Sequence, residues 1–509
     1  MKKNIVLLVL SMLFIKLFGI GRELALAYFY GATAYADVYL IASSIPTTVL
    51  GLVTAGLTTS FIPVYNKIKN DYSEEEANRY TSNLLNILLA LSLILSLIST
   101  VFIEDVVKIF ASGFKGETLA IAVQFTRYTI WAMVFTALIS VMTGFLQMRQ
   151  RFLVPTYLGL IMNLVVIASI FLSDHFKNPE LMAIGVVVSG AIQFLVLYVS
   201  QRLLGYRHKV VFKPTDKHIK YMLYISLPII IGTSVDQLNS IVDKSIASSV
   251  AVGGVAILNY ASKISDSILN IFVTSIATVL FPSLSEVAAS GDIPKLRRLS
   301  TEAVRYVSIL IIPAIVGIMI YAEEIVTIFY GRGQFTQSAL ELTTWSLVFY
   351  AFGSFAFGLR QIIIRMFYAL HDTKTPVYSS IIAVILNITL NLILSKIIGI
   401  PGLALATSIS AYVSVFILFY FASKKVGDLG LKSALTVILK CTAAAIAMAV
   451  VSLIFYEFMA GYIPRVAALS VSILLAVLLY AGIMLQMRIE EVDTIKEKIF
   501  SKLKRPKVK

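Results

Sequence analysis

The stretch Ile5–Tyr30, IVLLVLSMLFIKLFGIGRELALAYFY, is long and apolar enough to cross a bilayer, yet it carries Lys16, Arg22 and Glu23, with Gly19 and Gly21 between them. An isolated Lys or Arg near a bilayer centre costs about 2.5–3.5 kcal/mol on insertion scales, so such residues face a cavity or a partner. Glycines at that level weaken a helix and allow it to bend around a ligand. The stretch therefore predicts a wet, cationic hollow within a helical bundle, a setting that receives anions. A purely structural alternative pairs Arg22 with Glu23 or Asp37, or lets it snorkel to the interface. Adjacent residues on a helix do not face each other, which predicts separate partners for Arg22 and Glu23.

Composition agrees with a chain that crosses the membrane many times. Of 509 residues, 58% are hydrophobic and 14% charged, with a mean hydropathy of +0.87. Soluble domains carry about 25% charged residues. A net charge of +15 would suggest nucleic acid in a soluble protein, but here it lies mostly in loops and the tail, as membrane orientation requires. The single cysteine, Cys441, excludes an internal disulfide and a cysteine-rich metal site. His175, His208, His218 and His371 lie in or beside loops without metalloprotease spacing. No nucleophile–base pair stands out, which disfavours an enzyme. Lys2 and Lys3 ahead of an apolar run look like a signal peptide. No small-x-small cleavage site follows, so the run reads as a retained first helix.

Runs long enough to span about 30 Å of hydrocarbon predict an all-α polytopic membrane protein of about fourteen helices. They fall near 5–30, 35–65, 80–103, 118–147, 152–172, 181–204, 218–247, 251–285, 299–320, 337–368, 376–397, 401–422, 432–457 and 464–487. With the N-terminus inside, the outer loops hold few basic residues: Lys108, Lys115, Lys177, Arg332, Lys396 and Arg465. The inner loops hold many, including Arg149, Arg151, Arg297, Arg298, Lys374, Lys424, Lys425 and the dense loop Gln201–Lys220. That asymmetry places both termini in the cytoplasm.

The basic loop divides the chain into a six-helix lobe at 1–204, a linker at 205–217 and a second six-helix lobe at 218–423. An extra helix pair at 431–487 and a basic tail at 488–509 follow. The lobes echo each other. Phe145-Leu146-Gln147-Met148-Arg149-Gln150-Arg151-Phe152-Leu153-Val154-Pro155 parallels Phe367-Tyr368-Ala369-Leu370-His371-Asp372-Thr373-Lys374-Thr375-Pro376, about 220 residues later on the same membrane side. Ser60-Phe61-Ile62-Pro63 likewise parallels Val279-Leu280-Phe281-Pro282. Parallel repeats of this kind build transporters that rock one half against the other around a central site.

Several motifs in order carry a family resemblance. Lys16-Leu17-Phe18-Gly19-Ile20-Gly21-Arg22-Glu23, Gly31, Ala36-Asp37, Phe61-Ile62-Pro63, Asn259-Tyr260-Ala261-Ser262-Lys263, Phe281-Pro282-Ser283-Leu284-Ser285 and Tyr368-Ala369-Leu370 with Asp372-Thr373-Lys374-Thr375-Pro376-Val377 span both halves. Together they resemble the MurJ (MviN) lipid II flippases of the multidrug/oligosaccharidyl-lipid/polysaccharide exporter superfamily. The resemblance implies export of the lipid-linked peptidoglycan precursor across a bacterial cytoplasmic membrane through a V-shaped cationic cavity. Carried over, Lys16, Arg22 and Lys263 hold the diphosphate, Glu23 and Asp37 are nearby acids, and Asn163 is a further cavity residue.

The resemblance also implies a sodium site at Asp243, Asn387, Asn391, Thr407 and the Leu403 carbonyl, and a groove for the lipid tail along the last two helices. Asn387 and Asn391 are one helical turn apart, as are Leu403 and Thr407, so oxygens from neighbouring helices could converge on a hard cation. Intramembrane Asn and Thr also hydrogen-bond neighbouring helices with no ion involved. The chain departs from the family where Lys16 and Lys263 replace Arg, Ser262 and Asn391 replace Asp, and Thr47–Thr59 carries no charge.

Other functions compete. A flippase for another polyprenyl-diphosphate saccharide needs the same cationic cavity. A cation-coupled drug exporter favours acids and aromatics, which the basic cluster opposes. A scaffold recruiting wall-synthesis proteins suits the basic tail but has no use for intramembrane charge. The expected partners are a lipid-linked saccharide diphosphate and membrane lipid, with wall-synthesis proteins a further option and nucleic acid excluded.

Overall fold

The computed structural model describes residues 2–54, 56–487 and 489–493, and every regular element among them is an α-helix. Arg488 and residues 494–509 of the expected tail lie outside the described residues, as do the side chains of Phe281, Pro282 and Ser283. In chain order the helices are α1 (Lys2–Tyr30), α2 (Ala34–Thr54), α3 (Leu57–Asp71), α4 (Glu74–Val101), α5 (Ile103–Phe110) and α6 (Gly116–Thr129). Then come α7 (Ala132–Met148), α8 (Leu153–His175), α9 (Glu180–Leu203), α10 (Lys217–Val250), α11 (Gly254–Ala289) and α12 (Ile293–Ile320). The last six are α13 (Ala322–Tyr330), α14 (Gln337–Ala369), α15 (Lys374–Ile398), α16 (Ile400–Val426), α17 (Leu431–Ala460) and α18 (Arg465–Gln486).

Nine described helices are long and apolar enough to cross a membrane, and two bent pairs raise the number to eleven. The expected spans near 5–30, 35–65 and 251–285 are helical but do not meet that test among the described residues. Three expected spans are interrupted, the one near 218–247 by a 52° bend between Lys217–Leu227 and Ile229–Val250. The span near 35–65 divides between α2 and α3, where Gly56 meets α10: a Cβ there would lie 2.8 Å from the Ser226 carbonyl oxygen. The span near 118–147 bends by 42° between α6 and α7. Two short helices were not foreseen. In α5, Ile103, Val107 and Phe110 are buried while Glu104, Asp105 and Lys108 are not. In α13, Ala322, Val326 and Tyr330 are buried. Helices of eight and nine residues are too short to span, so hydropathy alone folds them into loops.

One turn recurs in detail in both halves. Gln150 and His371 are non-glycine residues in the left-handed region, at φ 58° and 56°. The Arg151 and Asp372 amides donate to the Leu146 and Phe367 carbonyls, each at 2.9 Å. The Gln150 and His371 amides donate to Gln147 and Tyr368 at 2.9 and 3.0 Å. This 6→1 plus 5→2 pattern is a Schellman termination, in matching register at the ends of α7 and α14.

The helices form two compact units. The first comprises Met1–Ile257 and Arg332–Ala339, so it extends past the 205–217 linker to include α10. Its core near α3, α4 and α7 is aromatic, with Phe61, Tyr65, Tyr80, Phe145 and Tyr206 in one cluster. The linker is strapped to α4. Asn83 donates to the Lys213 carbonyl and accepts from its amide, at 2.9 and 2.7 Å, as a neighbouring strand would. Asn86 donates to Val211, and Ser82 bonds the Tyr206 hydroxyl and the Lys209 amide. The second unit comprises Leu258–Gly331 and Leu340–Lys509. There α15 packs on α16, and α17 lies between α12 and α18. The Tyr480 hydroxyl of α18 reaches the Ile309 carbonyl of α12 at 2.9 Å.

Candidate functional site

In α1, the Arg22 Nη2 donates to Glu23 Oε1 at 2.6 Å, with the two side chains 21% and 7% exposed. Separate partners for these residues were expected, and the structure corrects that. The backbone does point adjacent side chains apart, but the long arginine stem reaches across, and a buried carboxylate left without a cation is costly. Tyr39 of α2 lies within electrostatic reach of both.

The glycines also act differently from the expectation. Helix α1 runs unbroken from Lys2 to Tyr30, and Gly19 and Gly21 face α8. A Cβ at Gly19 would stand 3.6 Å from Asn163 Nδ2, and one at Gly21 3.9 Å from Ile167 Cδ1. Small residues let membrane helices approach closely. The two helices run side by side from the Ser11–Tyr157 hydroxyl bond at 3.0 Å to the Tyr30–Ser173 bond at 2.8 Å. Asn163 is thus buried against the level of α1 that carries the charges. Lys16 is exposed, and no ion pair to it is found among the described residues.

Asp37 stands apart from the Arg22–Glu23 pair. It is 1% exposed and accepts from the Gly253 and Ala256 amides, each at 2.7 Å. The carboxylate caps the first turn of α11, satisfying amides a helix start leaves unpaired. The close approach depends on glycine: Gly253 has φ 81°, and any side chain there would strike the Ala32 carbonyl. Gly333, at φ 66°, sits likewise against the Tyr28 carbonyl, and the Gln334 amide donates to that carbonyl at 2.9 Å. Sequence reasoning missed this junction because its three segments are far apart along the chain. The one available signal was an acid in the first turn of α2, six residues after Gly31.

In the second unit, Lys263 of α11 is exposed and lies within electrostatic reach of Asp266. Four of the five sodium candidates form one chain of bonds there. Asn391 Nδ2 donates to Asn387 Oδ1 at 2.9 Å, Asn387 Nδ2 to Thr407 Oγ1 at 3.2 Å, and Thr407 Oγ1 to the Leu403 carbonyl at 3.0 Å. The fifth, Asp243, belongs to the first unit, where its carboxylate accepts from Asn239 Nδ2 at 3.1 Å. Within the second unit the neutral oxygens of these residues gather on α15 and α16. The same bonds also serve as contacts between α15 and α16. Among the described residues no cluster of three or more His, Cys, Asp or Glu gathers around a metal-sized gap.

Comparison with known proteins agrees with this architecture. A solved structure of a lipid II flippase MurJ in an inward closed conformation superposes with a TM-score of 0.81 at 23% identity, covering 94% of this chain and 98% of that one. An inward-facing multidrug resistance MATE transporter matches at TM-score 0.67 and 16% identity, over 82% of this chain and 96% of its own. At such identities these matches establish the fold. Among sequences, the probable lipid II flippase MurJ of Rickettsia prowazekii is 27% identical over 477 residues, covering 92% of this chain and 94% of the relative. The lipid II flippase MurJ of Burkholderia cenocepacia is 26% identical over 416 residues, 80% and 81% of the two chains. The sequence model of the lipid II flippase MurJ family matches residues 26–478. This chain belongs to that family.

Proposed function

We propose that the chain is a flippase that carries lipid II, the lipid-linked peptidoglycan precursor, from the inner to the outer leaflet of the cytoplasmic membrane by alternating access. The observation that carries the reading is the Arg22–Glu23 pair in the middle of an apolar helix, in a chain that matches the family over residues 26–478. A guanidinium stays charged at any accessible pH and presents a planar fork suited to phosphate oxygens. While the site is empty, Glu23 offsets its charge. An arriving diphosphate competes with that carboxylate and brings more negative charge than it displaces.

Lys16 and Lys263 add capture at longer range, since a low-dielectric hollow strengthens attraction to an anion. Asn163, buried beside Gly19, supplies a hydrogen bond to the head group in this reading. The lipid tail stays in the bilayer along α17 and α18. Asn387, Asn391, Thr407 and the Leu403 carbonyl would hold a sodium ion, with Asp243 a further candidate ligand, and its positive charge would bias one conformation over the other. The orientation has both termini in the cytoplasm, as the basic loops favour.

The test replaces the cellular copy with an Arg22→Gln variant, which keeps a donor for Glu23 but removes the charge. Membrane abundance stays near normal, wall synthesis stops and lipid II accumulates. Normal growth on that variant overturns the reading. Accumulation of a different polyprenyl-diphosphate saccharide assigns the same clamp to another head group.

A further inference from the structure

We propose that the cleft where α12 and α17 begin is a phosphate-binding site, placed to hold the head group of an anionic phospholipid. The cleft encloses about 370 Å³ within the second unit and is lined by Arg297, Arg298, Arg305, Asp428, Gly430 and Ser433 among others. That volume falls in the range of about 300–1,000 Å³ typical of small-molecule sites.

Its charges are unevenly committed. Arg298 pairs with Glu302 at 2.8 Å, and Arg305 with Glu491 at 2.7 Å and Glu490 at 3.8 Å. Asp428 accepts from the Gly430 amide at 2.9 Å. Arg297 has no ion pair or side-chain hydrogen bond among the described residues, and its Nε is buried without a partner. Its guanidinium is held in place rather than free to wander. Gly427 has φ 83°, and a Cβ there would come within 2.7 Å of Arg297 Nη2, so the fork lies flat against the glycine. Thr301, one turn along α12, fixes the loop by donating to the Leu429 carbonyl at 2.5 Å.

The facing wall adds positive potential. Helix α17 starts at Gly430 with no side-chain cap, so its first amides and helix dipole favour an anion. A half-buried, uncommitted guanidinium beside a helix start is a receptor for a phosphate oxygen pair. Location selects the source. Both α12 and α17 are apolar spans, so the cleft opens where the phosphate layer of a bilayer lies. The basic loops favour the inner leaflet, where anionic lipid attracts such sites.

Binding to the purified full-length chain in detergent is measured by native mass spectrometry with phosphatidylglycerol, phosphatidylcholine and inorganic phosphate as probes. Phosphatidylglycerol binds best, Arg297→Gln weakens it about tenfold, and Arg297→Lys weakens it less. Gly427→Ala, which displaces the fork but keeps the charge, gives a loss like that of Arg297→Gln. Arg202→Gln, an exposed cation of the first unit, changes nothing. Inorganic phosphate that displaces the lipid at micromolar concentration overturns the lipid assignment in favour of a soluble phosphate. Equal binding by the native and Arg297→Gln chains, or an equal loss in Arg202→Gln, overturns the site itself. Because no transport is measured, either result leaves the flippase reading standing.

Discussion

Arg22 shows how far a single side chain can depart from what its helical position suggests. The sequence places a charge where hydrocarbon should be, and that much was legible. The identity of its partner was not, because rotamer reach and burial decide that, and both depend on packing against other helices. The glycines beside it were misread for a related reason. Gly19 and Gly21 have the same letters whether a helix bends or a neighbour approaches, and only α8 distinguishes the two. At this scale the turn residues give clean tests. Gln150 and His371 hold left-handed conformations that cost a non-glycine residue roughly 1–2 kcal/mol, against about 0.4–1 kcal/mol of unfolded-chain entropy added by glycine. Gln150→Gly and His371→Gly should each raise the thermal midpoint slightly; a fall in both would contradict the Schellman assignment.

Asp372, next in the second of these turns, gives a pH-dependent test. Partial burial raises its carboxyl, but Lys425 at 2.8 Å, with the Thr375 amide and hydroxyl, outweighs that and holds it down to about 2. A carboxyl held below its unfolded value contributes stability above that value and loses it as pH falls toward the folded one. The stability difference between the native chain and Asp372→Asn should therefore be constant above about pH 5 and shrink from about pH 4 toward 2. A difference that persists unchanged at pH 2 would remove the ion pair from the explanation.

Among the elements, long apolar helices were readable and their interruptions were not. Hydropathy marks a span near 35–65 but is silent on the break at Gly56, which exists because α10 crosses there. The helices α5 and α13 escape for want of length, although the buried 3–4 spacing of Ile103, Val107 and Phe110 in α5 was visible in principle. The basic loop joins α9 to α10, and its docking is hidden from the sequence. Asn83 and Asn86 look like ordinary helix-surface amides until Lys209–Lys213 lies alongside them. If these bonds hold the strap, Asn83→Ala will speed amide hydrogen exchange at Lys213 and its neighbours by at least about fivefold, given about 1–3 kcal/mol for an unsatisfied pair. Exchange unchanged by the substitution would mean that the strap is held by Tyr206 and the aromatic core instead.

Across the whole molecule, the internal repeat was the most legible feature and the convergence of a site the least. The repeat survives because each half solves the same packing problem, down to matching hydrogen bonds after α7 and α14. Asn391, Asn387 and Thr407 join through side-chain bonds across α15 and α16. Asp37 became a helix cap instead, since an acid beside a glycine turn serves a helix start as readily as a cavity. Transport of lipid II is tested most directly by the amount exposed on the outer leaflet of living cells. That amount is read by cleavage with an externally added lipid II-degrading enzyme. The prediction is ready cleavage in cells with the native chain and near-background cleavage after its depletion or with Arg22→Gln. Undiminished cleavage in depleted cells, with no other flippase active, would contradict it.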